Sequence, residues 1–218
     1  MTVPDLIAAL PLRARIEAML RDTVPGRDPE FPYAAQFTAE QIDLMRKLLP
    51  AEPARAAVLV PLVERPGGLQ VLLTQRASHL KNHPGQVSFP GGRMEPADAS
   101  PWAAALREAH EEIGLLPQFV TLAGYLQDHL VISGFRVTPA VGFVQSGFNL
   151  QLDATEVEDA FEVPLEFALD VRNHRPRERV VAGHTILTHE IHYEGRQIWG
   201  ATASMLITFA RMLREAQT

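Results

Sequence analysis

The sequence predicts a mixed α/β layer fold preceded by a helical extension, and three observations carry that expectation. Two apolar runs, "AAVLVPLV" (56–63) and "LQVLLTQ" (69–75), flank "ERPGG" as paired strands flank a tight turn. A helical segment at 101–113 has a start signal before it and a stop signal after it. Further strand-like runs then lead to a closing segment at 201–216 with the apolar stripe of a helix. Strands and helices in this order build a sheet with helices laid on it.

Taken along the chain, residues 1–50 read as an N-terminal helical extension and residues 51–218 as the main domain. In the extension, "DLIAALPLRARIEAML" and "TAEQIDLMRKLL" have helical spacing and are separated by the Pro/Gly-rich "VPGRDPEFPY". The texture changes at Ala56, where the first strand pair begins. Ser100 suits a helix N-cap and Pro101 the first helical position, so a helix is expected over Pro101–Ile113, with Gly114 ending it. The runs "VTLAGYL", "RVTPAVGFV" and "HTILTHEIHY" read as strands, and "ATASMLITFARMLREA" as the last helix. There is no internal repeat.

Composition narrows the function. A chain of 218 residues that is 46% hydrophobic with mixed charges suits one well-cored domain plus an extension. A net charge of -6 argues against a nucleic-acid backbone as the main partner, because such binding depends on clustered Lys and Arg. Local cations leave room for a small anionic ligand. With no cysteine, the chain has no disulfide, thiolate metal site or cysteine nucleophile. The N-terminal "LIAALPL" is short and contains a proline, which suits neither a secretory core nor a membrane span, so no membrane partner and a cytoplasmic location are expected.

The chemistry concentrates in "REAHEEIG", residues 107–114. On a helix at about 100° per residue, Glu108, Glu111 and Glu112 share an arc of roughly 100°, apart from the stripe of Trp102, Ala105, Ala109 and Ile113. Repulsion between the i,i+4 pair Glu108 and Glu112 costs an isolated helix a few tenths of a kcal/mol, and Arg107 near Glu111 offsets part of that. Two readings fit: a solvated acidic face, or a carboxylate cluster that grips a hard divalent cation and through it a phosphate group. Upstream, "HPGQVSFPGGRMEPAD" places Pro90, Gly91 and Gly92 in a sharp turn whose bare backbone lets a phosphate or metal approach.

Together, "GGRMEPADASPWAAALREAHEEIGL" resembles the signature of the Nudix hydrolases, a glycine followed by a loop and then Arg-Glu-x-x-Glu-Glu-x-Gly. Gly92, Arg107, Glu108, Glu111, Glu112 and Gly114 match it. The family pattern has a glutamate six positions after the glycine and the arginine eight later; here Asp98 holds the first place and Arg107 falls one position late. A loop longer by one residue is also a feature of the coenzyme A pyrophosphatase branch. "LLTQRASHLKNHPGQVSFPGG" (72–92) resembles the same branch's upstream motif, with Arg76, Gly85, Phe89 and Pro90 matching and Lys81 standing where arginine is usual. Lysine keeps the charge there but lacks the planar fork for bidentate phosphate contacts. "DAFEVPLEFAL" and "IWGATASML" resemble later parts of the branch, so the likeness covers roughly residues 56–205.

The resemblance implies a Nudix α/β/α sandwich around a mixed sheet and Mg²⁺- or Mn²⁺-dependent cleavage of coenzyme A, or its acyl derivatives, into 3′,5′-ADP and 4′-phosphopantetheine. The alternative substrates are a dinucleotide, a nucleotide sugar or a nucleoside triphosphate. It implies Glu108 and Glu112 as primary metal ligands, Glu111 as a further ligand and Arg107 as the group orienting them. Family members differ in where the general base lies, and Glu111 and Glu156 are both candidates; Glu158 and Glu162 lie in the same stretch. Arg76 and Lys81, with His83, would face the substrate phosphates beside Gly91 and Gly92. Modules that bind nucleotide without cleaving it typically lose these glutamates, and this chain keeps all three. Related enzymes often pair, which makes a homodimer a candidate assembly. His189 and His192 have opposite parity on a predicted strand and point to opposite faces, so they form no zinc site.

Overall fold

The computed structural model of the protein describes residues 10–26, 29, 31 and 38–216. Both expected N-terminal helices are present, α1 (Leu12–Leu20) and α2 (Ala39–Leu48). The start of the first predicted run, residues 5–9, lies outside the described residues.

The expected strand pair is a hairpin of β1 (Ala54–Arg65) and β2 (Gly68–Arg76), paired antiparallel from Leu62↔Val71 to Arg65↔Gly68. Beyond Leu62 and Val71 the two strands part. In the opening, β3 (Val87–Ser88) pairs with β2, and β4 (Gly91–Arg93) pairs with β1. Gly91 and Gly92 are therefore held in the fork of a splayed hairpin, opposite Val58 and Ala57. Next come helix α3 (Pro101–Ile113) and strands β5 (Val120–Tyr125), β6 (His129–Val131), β7 (Phe135–Val144) and β8 (Val157–Pro164). β7 runs parallel to β1, whereas β5, β6 and β8 pair antiparallel with their neighbours, which makes the sheet mixed. After a short helix α4 (Leu165–Leu169), β9 (His174–Val181), β10 (His184–Tyr193) and β11 (Arg196–Ile198) form a separate three-stranded sheet, and α5 (Gly200–Glu215) closes the chain. The short strands β3, β4, β6 and β11 and the longer β8 and β9 are not among the runs expected from the sequence. β8 lacks a clean alternation of burial, and β9 carries four charged residues in eight and is mostly exposed.

The period of two along β1 divides the core into two layers. Ala57, Leu59 and Val63 face one side with Leu72 of β2 and pack under Ala104, Ala105, Ala109 and Ile113 of α3. Val60 and Leu62 face the other side with Val71 and Leu73, against Ile16 and Leu20 of α1 and Leu206 and Phe209 of α5. The result is the expected α/β/α sandwich. No helix among the described residues is long and apolar enough to cross a membrane.

The α3 side of the sandwich is closely spaced because the helix presents alanine to it; Ala104, Ala105 and Ala109 are fully buried. A larger side chain at the centre of that contact has no space without moving the helix that carries the glutamates. We therefore expect Ala109→Leu to lower the free energy of unfolding by about 1–3 kcal/mol, read as a reduced midpoint in urea denaturation at an unchanged slope.

Candidate active site

Helix α3 begins and ends as its sequence requires. Ser100 Oγ accepts a hydrogen bond from Ala103 N at 3.1 Å, Pro101 takes the first turn, and Gly114 ends the helix in the left-handed region at φ 68°. A side chain at Gly114 would also collide with Gln151, whose Cβ lies 2.9 Å from the position a Cβ would take. This close approach lets the following loop tie itself to the helix end. Gln151 N donates to Ile113 O and Asp153 N to Glu112 O, both at 2.9 Å. Asp153 then folds the chain into a turn, its Oδ1 accepting from Thr155 N at 2.8 Å and its carbonyl from Glu156 N at 2.9 Å. Glu156 emerges at the end of that turn, just before β8, and its charge reaches both Glu108 and Glu112.

The three helical glutamates occupy different environments. Glu111 is the outermost, with 56% of its side chain exposed; Glu108 retains 16%, and Glu112 as a residue only 5%. Glu112 thus belongs to the buried face of α3, while Trp102, expected in the apolar stripe, is only half-buried. The Glu112 carboxylate lies against the glycine turn, where its Oε2 accepts from Gly91 N at 3.1 Å. Gly92 is required for the same reason: a Cβ there would lie 2.6 Å from the carboxyl carbon of Glu108. Gly91, at φ 152°, is pressed against β1, with Ala57 O 2.5 Å from the place of a Cβ.

Arg107 holds this arrangement from the side. All five of its N–H donors are used: Nε and Nη2 bind Asp98 at 3.1 and 3.0 Å, and Nη1 binds Glu108 and Glu111 at 2.9 Å each. The remaining donor on Nη2 reaches Arg93 O in β4 at 3.2 Å. Asp98 is nearly buried, receives a further bond from Glu95 N at 2.7 Å, and is held below the usual carboxylate range chiefly by Arg107. Asp98 therefore positions the arginine that positions two glutamates. The sequence marked this residue only as a departure from the family spacing.

The carboxylates push one another toward protonation. Burial raises Glu108 above its ordinary value against the opposing pull of Arg107, with Glu111 and Glu156 adding to the rise. Glu112 is raised to about 8, first by burial and then by Glu108 and Glu156, with the Gly91 N–H and the Arg76 charge opposing. Among the described residues no group of three His, Asp or Glu side chains is gathered to enclose a metal ion, and Arg107 holds Glu111 to one side. A buried carboxylate destabilised by two neighbouring acids, all offering hard oxygen donors, nevertheless fits the chemistry of a divalent cation such as Mg²⁺ or Mn²⁺.

The upstream cations divide. Arg76 ends β2, where its backbone bonds Gln86 O and Gly85 N close the intervening loop, and Gly85 takes φ 68° to do so. In the pairing of β2 with β8, Gln75 faces Asp159 and Arg76 faces Val157, so Glu158 is the extra residue of a bulge beside Arg76. Arg76 and His83 line a cavity of about 420 Å³ that also includes Gly91, Gly92 and Trp199; Lys81 is exposed on the loop and is not part of that wall. At the same cavity the Arg179 guanidinium lies over the Trp199 ring at 4.2 Å, a contact the sequence reading did not anticipate. Glu162 is engaged outside the glutamate cluster, in a bidentate pair with Arg65 at 2.9 and 2.5 Å.

The raised Glu112 gives a stability signature with a definite sign. Without a bound cation, the fold retains a proton that the unfolded chain releases near pH 4, so stability is full below that point and declines as pH rises toward 8. In chelator, Glu112→Gln should raise the melting temperature at pH 8 relative to the wild type. The gap should close near pH 4, a difference that scanning calorimetry at the two pH values measures directly.

This geometry has counterparts in known proteins. A model of the NUDIX domain matches residues 53–182, which include the glycine turn, α3 and the Glu156 turn. A protein described as "Uncharacterized Nudix hydrolase NudL" from Enterobacter sp. (strain 638) is 43% identical over 154 residues, covering 70% of this chain and 79% of its own. Its counterpart from Salmonella newport (strain SL254) is 44% identical over 153 residues, with the same coverage of each chain. Among solved structures, the MutT protein from Methanosarcina mazei Go1 has a TM-score of 0.50 and 20% identity, covering 78% of this chain and 99% of that one, a likeness of fold alone. With more than half of its length matched by the domain model, and with the glutamates and orienting arginine of one helix set against the glycine turn, the chain belongs to the Nudix hydrolase family.

Proposed function

We propose that the protein hydrolyses the diphosphate bond of coenzyme A or its acyl derivatives, releasing 3′,5′-ADP and 4′-phosphopantetheine or its acylated form. The observation that carries this reading is the cavity beside Gly91 and Gly92: the turn that contacts Glu108 and Glu112 opens into a pocket large enough for a substantial organic group, with Arg76 on its wall. A diphosphate linked to a long, largely uncharged arm suits such a site. The upstream segment containing Arg76, Gly85, Phe89 and Pro90, which resembles the coenzyme A pyrophosphatase branch, folds into the loop and turn bordering it.

In this reading Glu108 and Glu112 would be the primary ligands of Mg²⁺ or Mn²⁺ and Glu111 a further ligand. When bound, the cation offsets the charge of the diphosphate oxygens and orients the attacking water. The chain's own groups do the rest. Arg107, held by Asp98, keeps Glu108 and Glu111 aligned. Arg76 meets the negative charge of the substrate, with Lys81 contributing from the exposed loop as a longer-range cation. Glu156 is the better placed of the two candidate bases: it is solvent-exposed, free of the arginine that holds Glu111, and within electrostatic reach of Glu108 and Glu112.

Incubation with coenzyme A and Mg²⁺ or Mn²⁺, followed by mass spectrometry, should yield 3′,5′-ADP and 4′-phosphopantetheine. Intact coenzyme A at micromolar enzyme, alongside cleavage of a dinucleotide, nucleotide sugar or nucleoside triphosphate, would transfer the assignment to that substrate. Glu112→Gln should reduce turnover on the order of a hundredfold, and Asp98→Asn about tenfold through kcat with little effect on KM, since Asp98 acts only through Arg107.

A further inference from the structure

The N-terminal helix α2 contributes to the same cavity. Met45 is its buried residue, 5% exposed, and it lines the pocket that also contains Gly91 and Gly92. The helix is held by a side chain with two functions. Gln41 accepts from Thr38 N at 2.9 Å to complete the capping box, while its Nε2 donates to Thr185 O in β10 at 3.2 Å. The neighbouring stretch of β10 supplies Ile186 to the cavity wall, and β9 supplies Val181. Elements remote from the helix that carries the glutamates thus form part of the same pocket wall.

We infer that Met45 sets how large an apolar substituent the substrate can carry, α2 serving as a specificity wall for the acyl group of an acyl-coenzyme A; this rests on the substrate reading above. Much of the wall is apolar, with Met45, Leu130, Ile132, Phe135, Val181 and Ile186 facing the cavity, which suits an aliphatic occupant. Three of its hydroxyl groups are engaged with the protein: Ser88 Oγ lies 3.2 Å from Thr74 Oγ1, Thr188 Oγ1 donates to Arg177 O at 3.0 Å, and Thr202 Oγ1 donates to Val87 O at 3.1 Å. A hydrocarbon chain needs only contact area from such a wall. Methionine is flexible enough to adapt to chains of different length, and its replacement changes the space without adding charge.

The test compares wild type, Met45→Trp and Met45→Ala by the ratio of kcat/KM for decanoyl-coenzyme A to that for coenzyme A, which cancels any loss of folded protein. The Trp variant should lower the ratio at least about tenfold, and the Ala variant should raise it. Equal ratios in all three proteins would overturn the inference. Calorimetric titration with S-decanoyl pantetheine, which has no diphosphate, separates this inference from the reading beneath it. Binding by wild type that weakens in Met45→Trp upholds the wall even if coenzyme A is never cleaved. Absence of binding by wild type overturns it even if coenzyme A is cleaved.

Discussion

The contact between the Glu112 carboxylate and the Gly91 N–H organises the site, because it buries a carboxylate where two other acids can repel it. Burial alone disfavours the charged form, and proximity to Glu108 and Glu156 disfavours it further. Every other feature of the site either supports this contact or limits its consequences. The splayed hairpin holds the glycine turn at the right depth, the alanine face of α3 brings the helix close to the sheet, Gly92 leaves room for the Glu108 carboxylate, and Gly91 lets the turn lie against β1. Arg107 supplies the positive charge that keeps Glu108 and Glu111 in register, and Asp98 keeps Arg107 from swinging out to solvent.

Much of this was legible in the sequence because it depends on local chemistry. Ser100, Pro101 and Gly114 define a helix by capping rules alone, and the observed bounds of α3 agree with them. The β1–β2 hairpin, β5, β7, β10 and α5 were similarly visible as periodic apolar runs between turn residues. β9 was hidden because a charged, exposed edge strand has no apolar alternation to detect. Glu112 was placed correctly on its helix, but its near-complete burial was not visible: helical periodicity gives an angle around the axis and says nothing about the β4 backbone that covers that angle.

The part of the site built by distant segments was less legible still. Asp98 looked like an imperfect match to a pattern, and only the geometry shows it as the anchor of Arg107 across nine positions of chain. Trp199, Arg179 and Met45 come from three elements far apart in sequence, and no spacing rule relates them. Glu156 is one of five acids in one stretch, and its place near the helix depends on backbone bonds from Gln151 and Asp153.

Those backbone bonds have a mechanical consequence. The chain leaves α3 through Gly114 and returns to the last carbonyls of the same helix before releasing Glu156, whose own carbonyl accepts from Ala77 N just past β2 at 2.9 Å. The acid-bearing turn is thus pinned at both ends, to the helix terminus and to the sheet, which fixes where Glu156 stands relative to Glu108 and Glu112.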